Sequence, residues 1–247
     1  MAEKEYLIQE LIRIGYLKTP RIIKAFRAVD RKDFVLPEHE REAYGNFPLP
    51  IGFGQTISQP LTVAFMLELL DPRPGEHILD IGAGSGWQTA LLAHVVSEAQ
   101  TDADSTRTDA DKILRKSASS QRESAGHVVA IERIPELAAM AEQNIQKYDF
   151  LKRGVVRVFT GDGSRGAPEE SVPSGGFHKI IAAAAARNVP AAWAKQLKIG
   201  GHIVAPVGHS IVVLDKKKNG ALAREEYYGF AFVPLIEDTK DARDRRD

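Results

Sequence analysis

The stretch Asp80-Ile81-Gly82-Ala83-Gly84-Ser85-Gly86 packs one acid, three alternating glycines and a serine into seven residues. Glycines let a backbone turn in conformations closed to other residues and come close to a ligand. A helical pattern starting at Trp87 adds the free amides of a helix N-terminus. Two further acids stand in comparable places: Glu132, after Val128-Val129-Ala130-Ile131, and Asp162, in Gly161-Asp162-Gly163 after Val155-Val156-Arg157-Val158-Phe159. Upstream, Thr56 and Ser58 bring two hydroxyls into a segment rich in glycine and proline.

The glycine spacing is G-x-G-x-G, unlike the G-x-G-x-x-G of dinucleotide sites. With Asp80 two residues ahead of Gly82, the pattern suits the amino-acid end of S-adenosyl-L-methionine better than a pyrophosphate. Asp80 would face the ligand's ammonium, directly or through water, although a plain strand-to-helix turn has the same pattern. Glu132 stands where such sheets place a carboxylate for ribose hydroxyls; an exposed strand-end ion pair is its ordinary alternative. It follows Gly86 by 132 − 86 = 46 residues, against about 20 in the usual unit, and a polar insertion accounts for the excess. Gly161-Asp162-Gly163 alone is an ordinary turn. Three acids ending three successive strands are harder to obtain by chance, and that edge of such sheets is where ligands bind.

The elements that must position these residues follow from periodicity. Leu7, Leu11 and Ile14 form one helical stripe, and Ile22, Phe26 and Val29 another after Thr19-Pro20. Residues 37–60 hold four prolines and three glycines, which predicts a long ordered loop or set of turns of the kind that carries function. A helix is expected over 59–70. Strands and helices then alternate: strands at 77–81, 128–132, 155–159, 179–182 and 202–206, helices at 87–96, 135–148 and 190–197. Strands at 211–214 and 226–233, joined through Asn219-Gly220, close the sheet. The reading is an α/β, Rossmann-like class I methyltransferase fold, with a mainly parallel twisted sheet, antiparallel edge strands and helices on both faces. We expect one domain over 1–236 with an N-terminal helical extension. Residues 97–126, rich in Ser, Thr, Asp, Lys and Arg, read as a mobile surface insertion, and 237–247 as a charged, frayed tail.

Pro50-Ile51-Gly52-Phe53-Gly54-Gln55-Thr56-Ile57-Ser58-Gln59-Pro60 closely resembles the signature segment of protein-L-isoaspartate O-methyltransferases. With Leu79 to Gln88, the Gly161-Asp162-Gly163 turn, and Gln196 to Gly201 ahead of Val204-Ala205-Pro206-Val207-Gly208, the likeness spans roughly residues 5 to 236. It implies methylation of the free α-carboxylate of L-isoaspartyl residues in damaged proteins and peptides, which starts their repair. It implies Ser58 as the active-site residue, with Thr56 beside it. Cofactor contacts carried over are Asp80, Gly82, Gly84, Glu132, Asp162 and Gly163, with Ala83 and Ser85 counted as part of the loop.

The chemistry is consistent with that implication. A carboxylate of pKa near 3.5 is already ionised at neutral pH, so an acceptor of this kind needs no general base. Thr56 and Ser58 hydroxyls can donate hydrogen bonds that aim it; Ser58 could equally cap the following helix. One departure from the family lies in Ala183-Ala184-Ala185-Ala186-Arg187-Asn188, where a smaller or prolyl residue is expected near Arg187 at the substrate rim. A small-molecule acceptor is the alternative.

Composition trims the rest. The chain has 33 Lys+Arg against 33 Asp+Glu, so it lacks the basic excess of a nucleic-acid binder. There are no cysteines, which excludes disulfides, thiolate nucleophiles and Cys-ligated zinc. Seven histidines are scattered without ligand-like spacing, and no metal is expected. No apolar run reaches the roughly 20 residues that span a bilayer, and the N-terminus does not read as a signal peptide. The expectation is a cytoplasmic monomer acting on other proteins, not on membranes.

Overall fold

A computed structural model of the chain describes residues 2–98 and 126–236. Most of the polar insertion and the whole 237–247 tail therefore lie outside the described residues. Helices α1 (Ala2–Arg13) and α2 (Pro20–Ala28) lead into short 3-10 turns, a hairpin of β1 (Leu49–Gly52) and β2 (Gln55–Ile57), and α3 (Pro60–Leu70). Next come β3 (His77–Ile81), α4 (Trp87–Ser97), β4 (His127–Glu132), α5 (Pro135–Gln146), β5 (Val156–Thr160), β6 (Phe177–Ala182), α6 (Ala191–Gln196), β7 (Leu197–Val207), β8 (Ser210–Lys216) and β9 (Leu222–Tyr228).

The main sheet has the order β5-β4-β3-β6-β7-β8-β9, parallel from β5 through β7 and antiparallel across β7-β8-β9. This is the Rossmann-like, mainly parallel arrangement that the sequence predicts. Its central strands are apolar almost throughout because both faces are covered. Ile78, Val128 and Ala130 face the core shared with α1 to α5, while Leu79, Ile81, Val129 and Ile131 face the layer formed with Trp193 of α6. Helix α4 buries nine of its eleven residues, which suits a helix apolar nearly all round.

Three expectations need correction. In the first stripe Ile8 is buried, whereas Ile14 lies beyond the end of α1 and is 37% exposed. Residues 37–60 are not merely loop, since they contain a 3-10 helix and the β1–β2 hairpin. The last strand runs over Leu222–Tyr228, not 226–233, because the turn tightens at Lys217–Ala221 and Lys216 already pairs with Leu222. This edge strand is exposed and charged, so apolar content misplaces it. Pro234, which has no N–H to give to a ladder, belongs to an extended segment leading away from it.

The histidines are not all scattered either. Parallel register sets His77 of β3 opposite His127 of β4, with ring centroids 4.1 Å apart, and the His178 ring lies 5.3 Å from His77. Burial, with Lys198, Arg157 and Lys179 nearby, depresses these imidazoles, His127 and His178 from 6.5 to about 4. The unfolded chain then binds more protons than the folded one between pH 6.5 and 4. Their stabilising contribution is complete above about pH 6.5 and is lost as the pH falls toward 4. Asp80, raised to about 6 from 3.8, acts in the opposite sense over part of that window. Thermal midpoints of the wild type and His127→Gln, compared from pH 7.5 to 4, should show a smaller acid-side drop in the variant. Parallel curves would remove the histidine stack as a cause.

Candidate active site

The sheet changes direction at β3: β4 and β5 lie on one side, and β6 to β9 on the other. Ligands of open α/β sheets bind in the crevice at the carboxyl ends of strands at such a point. A cavity of about 390 Å³ opens there, lined by Gly82 to Ser85, Glu132 to Ile134, Gly163, Gln55 to Ser58, and Ala231 to Ile236. Thr56, Ser58, Gly82, Ala83, Gly84, Ser85, Glu132 and Gly163 are thus brought together. Asp80 and Asp162 are not among the lining residues.

Leaving β3, the chain bends over β4: the Gly82 and Ala83 amides both donate to the Ile131 carbonyl, at 2.8 and 3.2 Å. The Gly84 amide donates to Glu132 Oε2 at 2.8 Å, and Ile134 N–H to Oε1 at 3.0 Å. Glu132 is therefore not in an exposed strand-end ion pair; it is 7% exposed and spans two loops. Gly86 ends the loop at φ +94, and a Cβ there would lie 3.0 Å from Ile145 Cδ1 on α5, so glycine serves both the turn and the close approach of helices.

Asp80 is fully buried and accepts from Gln88 Nε2 at 2.8 Å and Thr89 Oγ1 at 2.6 Å, both on α4. Burial raises its carboxyl to about 6, against the pull of the Thr89 and Gln88 hydrogen bonds. Since Gln88 lines the cavity and Asp80 does not, Asp80 meets the pocket only through that side chain. Asp162 caps a 3-10 turn by accepting from Ser164 N at 2.9 Å. The Ser85 hydroxyl and the Trp87 indole N–H are buried with no hydrogen-bond partner, and both residues line the cavity. Two orphan polar groups, a carboxylate at a strand end and apolar Ile131, Ile134 and Leu137 alongside fit a nucleoside bearing a polar tail.

On the opposite wall, the β1–β2 hairpin turns through Phe53 and Gly54, both at positive φ. It carries Thr56 and Ser58 to the cavity. Ser58 does not cap α3. Gln59 is the cap residue and makes no side-chain cap bond, while Asn46 Oδ1 accepts from Leu61 N at 3.0 Å instead. This leaves the Ser58 hydroxyl uncommitted to the helix. Arg31 lies behind this wall, 2% exposed, its guanidinium donating to the carbonyls of Ala43, Gly45, Phe47 and Ser58. Arg187 is exposed and does not line the cavity.

Sequence reasoning missed Gln88, Thr89, Arg31 and the 231–236 segment. The last is tied to the strand-end loop by Ala185 N donating to Val233 O and Leu235 N to Ala185 O, each at 2.8 Å. Pro234 was the available signal. The burial of Arg31 had none.

A family model described as protein-L-isoaspartate(D-aspartate) O-methyltransferase matches residues 2–240. A protein-L-isoaspartate O-methyltransferase of Aeropyrum pernix is 39% identical over 234 residues, covering 93% of this chain and 78% of the relative. One of Staphylothermus marinus is 39% identical over 238 residues, 95% of this chain and 94% of the relative. One of Methanopyrus kandleri is 37% identical over 237 residues, 94% and 91% respectively. Among solved structures, a Plasmodium falciparum protein-L-isoaspartate O-methyltransferase in complex with S-adenosyl-L-homocysteine superposes with a TM-score of 0.74 at 22% identity, covering 94% of this chain and 98% of that one. That superposition shows a shared fold.

Gly163 tests the packing beneath the pocket. A Cβ there would lie 2.5 Å from Ile81 Cγ2, and overpacking of this sort costs about 1–3 kcal/mol. Gly163→Ala should lower the urea midpoint accordingly with the denaturant slope unchanged; an unchanged midpoint would mean that Ile81 can step aside.

Proposed function

The chain belongs to the protein-L-isoaspartate(D-aspartate) O-methyltransferase family, and from that premise we propose how its residues carry the activity. The enzyme transfers a methyl group from S-adenosyl-L-methionine to the free α-carboxylate of L-isoaspartyl residues in damaged proteins, starting their repair. Our assignment of roles rests on one juxtaposition: the glycine loop with Glu132 forms one wall of a cavity whose facing wall carries Thr56 and Ser58.

On the first wall, Glu132 accepts from ribose hydroxyls while it keeps the Gly84 loop in place. Gly82, Ala83 and Gly84 give close backbone approach, Ser85 supplies its free hydroxyl, and Asp80 acts through Gln88 on the ammonium of the amino-acid end. Gly163 floors the adenine side, with Asp162 setting the turn that holds it. When bound, S-adenosyl-L-methionine supplies an electrophilic methyl group. On the second wall, Thr56 and Ser58 hydroxyls donate to the acceptor carboxylate and aim it. The acceptor is ionised already, so neither residue has to remove a proton.

The even balance of charge supports a protein acceptor over a nucleic acid. Among the described residues no helix is long and apolar enough to cross a membrane.

Glu132→Ala should weaken S-adenosyl-L-homocysteine binding by about 1–3 kcal/mol, measured calorimetrically; unchanged affinity would take Glu132 out of the site. Ser58→Ala should slow turnover on an isoaspartyl peptide on the order of 10- to 1,000-fold while cofactor affinity holds. At saturating cofactor the wild-type rate should be flat between about pH 6.5 and 8. A rising limb abolished by substituting another residue would establish a general base, and equal turnover of aspartyl and isoaspartyl peptides would sink the acceptor assignment.

A further inference from the structure

Arg31 is a buried cation that forms no salt bridge with any described residue. Its guanidinium donates from Nη1 to Ala43 O at 2.7 Å and Gly45 O at 3.3 Å, and from Nη2 to Phe47 O at 3.0 Å and Ser58 O at 3.2 Å. Its other face lies over Trp87, 5.3 Å from the ring centroid, within cation–π range. Trp87 lines the cofactor cavity directly after Gly86. One planar group thus touches the backbone that carries Ser58 and the indole beside the glycine loop.

Burial without a counter-ion is costly, and apolar residues often replace buried charges without loss of stability. Burial pushes the Arg31 guanidinium down to about 10, still charged at neutral pH. The return on that cost is geometric. Residues 43–47 are bends and turns without a strand partner, so their carbonyls need donors. A planar fork spreads its donors over two terminal nitrogens in fixed directions and so spans four carbonyls, whereas a lysine ammonium offers three donors from a single nitrogen.

We propose that Arg31 is a positioning residue for methyl transfer, holding the Ser58 segment at a set distance from the cofactor wall through its carbonyl fork and the Trp87 face. This rests on the reading of Ser58 as the acceptor-aiming residue. Small misplacements of a reacting group can cost on the order of 100-fold in rate, so the effect belongs in kcat and not in cofactor binding.

The test is a cycle of Arg31→Lys, Ser58→Ala and the double variant, with Arg31→Gln carried in parallel in case the lysine form fails to fold. Rates are taken on an isoaspartyl peptide per site titrated with S-adenosyl-L-homocysteine, which removes any unfolded fraction. Arg31→Lys should lower kcat about 10- to 100-fold with the S-adenosyl-L-homocysteine Kd within about threefold, and should cost far less in the Ser58→Ala background. Unchanged kcat with a lowered melting temperature would make Arg31 structural only and overturn the inference. If Ser58→Ala is slow but the two effects simply multiply, the inference falls while Ser58 stands. If Ser58→Ala turns over normally, the reading of Ser58 falls and the inference with it.

Discussion

As the chain leaves β3, the Gly82 and Ala83 amides turn onto the Ile131 carbonyl and the Gly84 amide onto Glu132. The rest of the carboxyl edge depends on that bend. It carries the backbone across β4, so the loop overhangs the crevice instead of continuing the strand. It starts α4 one turn later, at Trp87, where Gln88 and Thr89 reach back to Asp80. Glu132 fixes the far side through Ile134. A side chain at 82, 84 or 86 would require an L-residue at positive φ, which is costly, and at 86 it would also crowd α5.

Three acids that look alike in the sequence end in three different environments. Asp80 points into the helical layer, because it shares the parity of Ile78 on β3; it loses water and its carboxyl rises toward neutrality. Glu132 accepts two backbone amides and so ties two loops together. Asp162 lies beyond the end of β5 and spends a carboxylate oxygen on its own turn. The pattern of acids at strand ends was legible because it is local. Which acid faces the cavity depends on side-chain parity and on the loop that follows, and neither can be read from the type of residue.

The same division runs through the whole chain. Central strands and the glycine loop were readable from short-range pattern; the signature segment was readable as a functional loop but not as the hairpin it forms, and the last strand was readable in existence but not in its bounds. The stack of His77, His127 and His178 was not, because it is made by pairing positions 50 and 101 residues apart. Nor was the pocket wall at 231–236, which depends on Ala185 reaching Val233 and Leu235. An arginine following Val29-Asp30 reads as surface; only the fold shows it closed in beneath the hairpin.

Those long-range placements give the cavity its electrical character. Asp80 and Glu132 put buried carboxylates on the glycine-loop side, and Arg31 puts an unpaired buried cation behind the hairpin. In a poorly screened interior such charges act over several ångströms. The walls therefore favour a cationic donor on one side and an anionic acceptor on the other. Methyl transfer between them cancels both charges, so this polarity holds the reactants more firmly than the neutralised centres that follow. Charge on the walls then serves capture and release, and holds the partly neutralised transition state less firmly than the reactants. What remains for the protein to supply to the rate is alignment, and alignment here comes from groups that are themselves immobilised: a hairpin pinned by a rigid fork and a glycine loop pinned by Glu132.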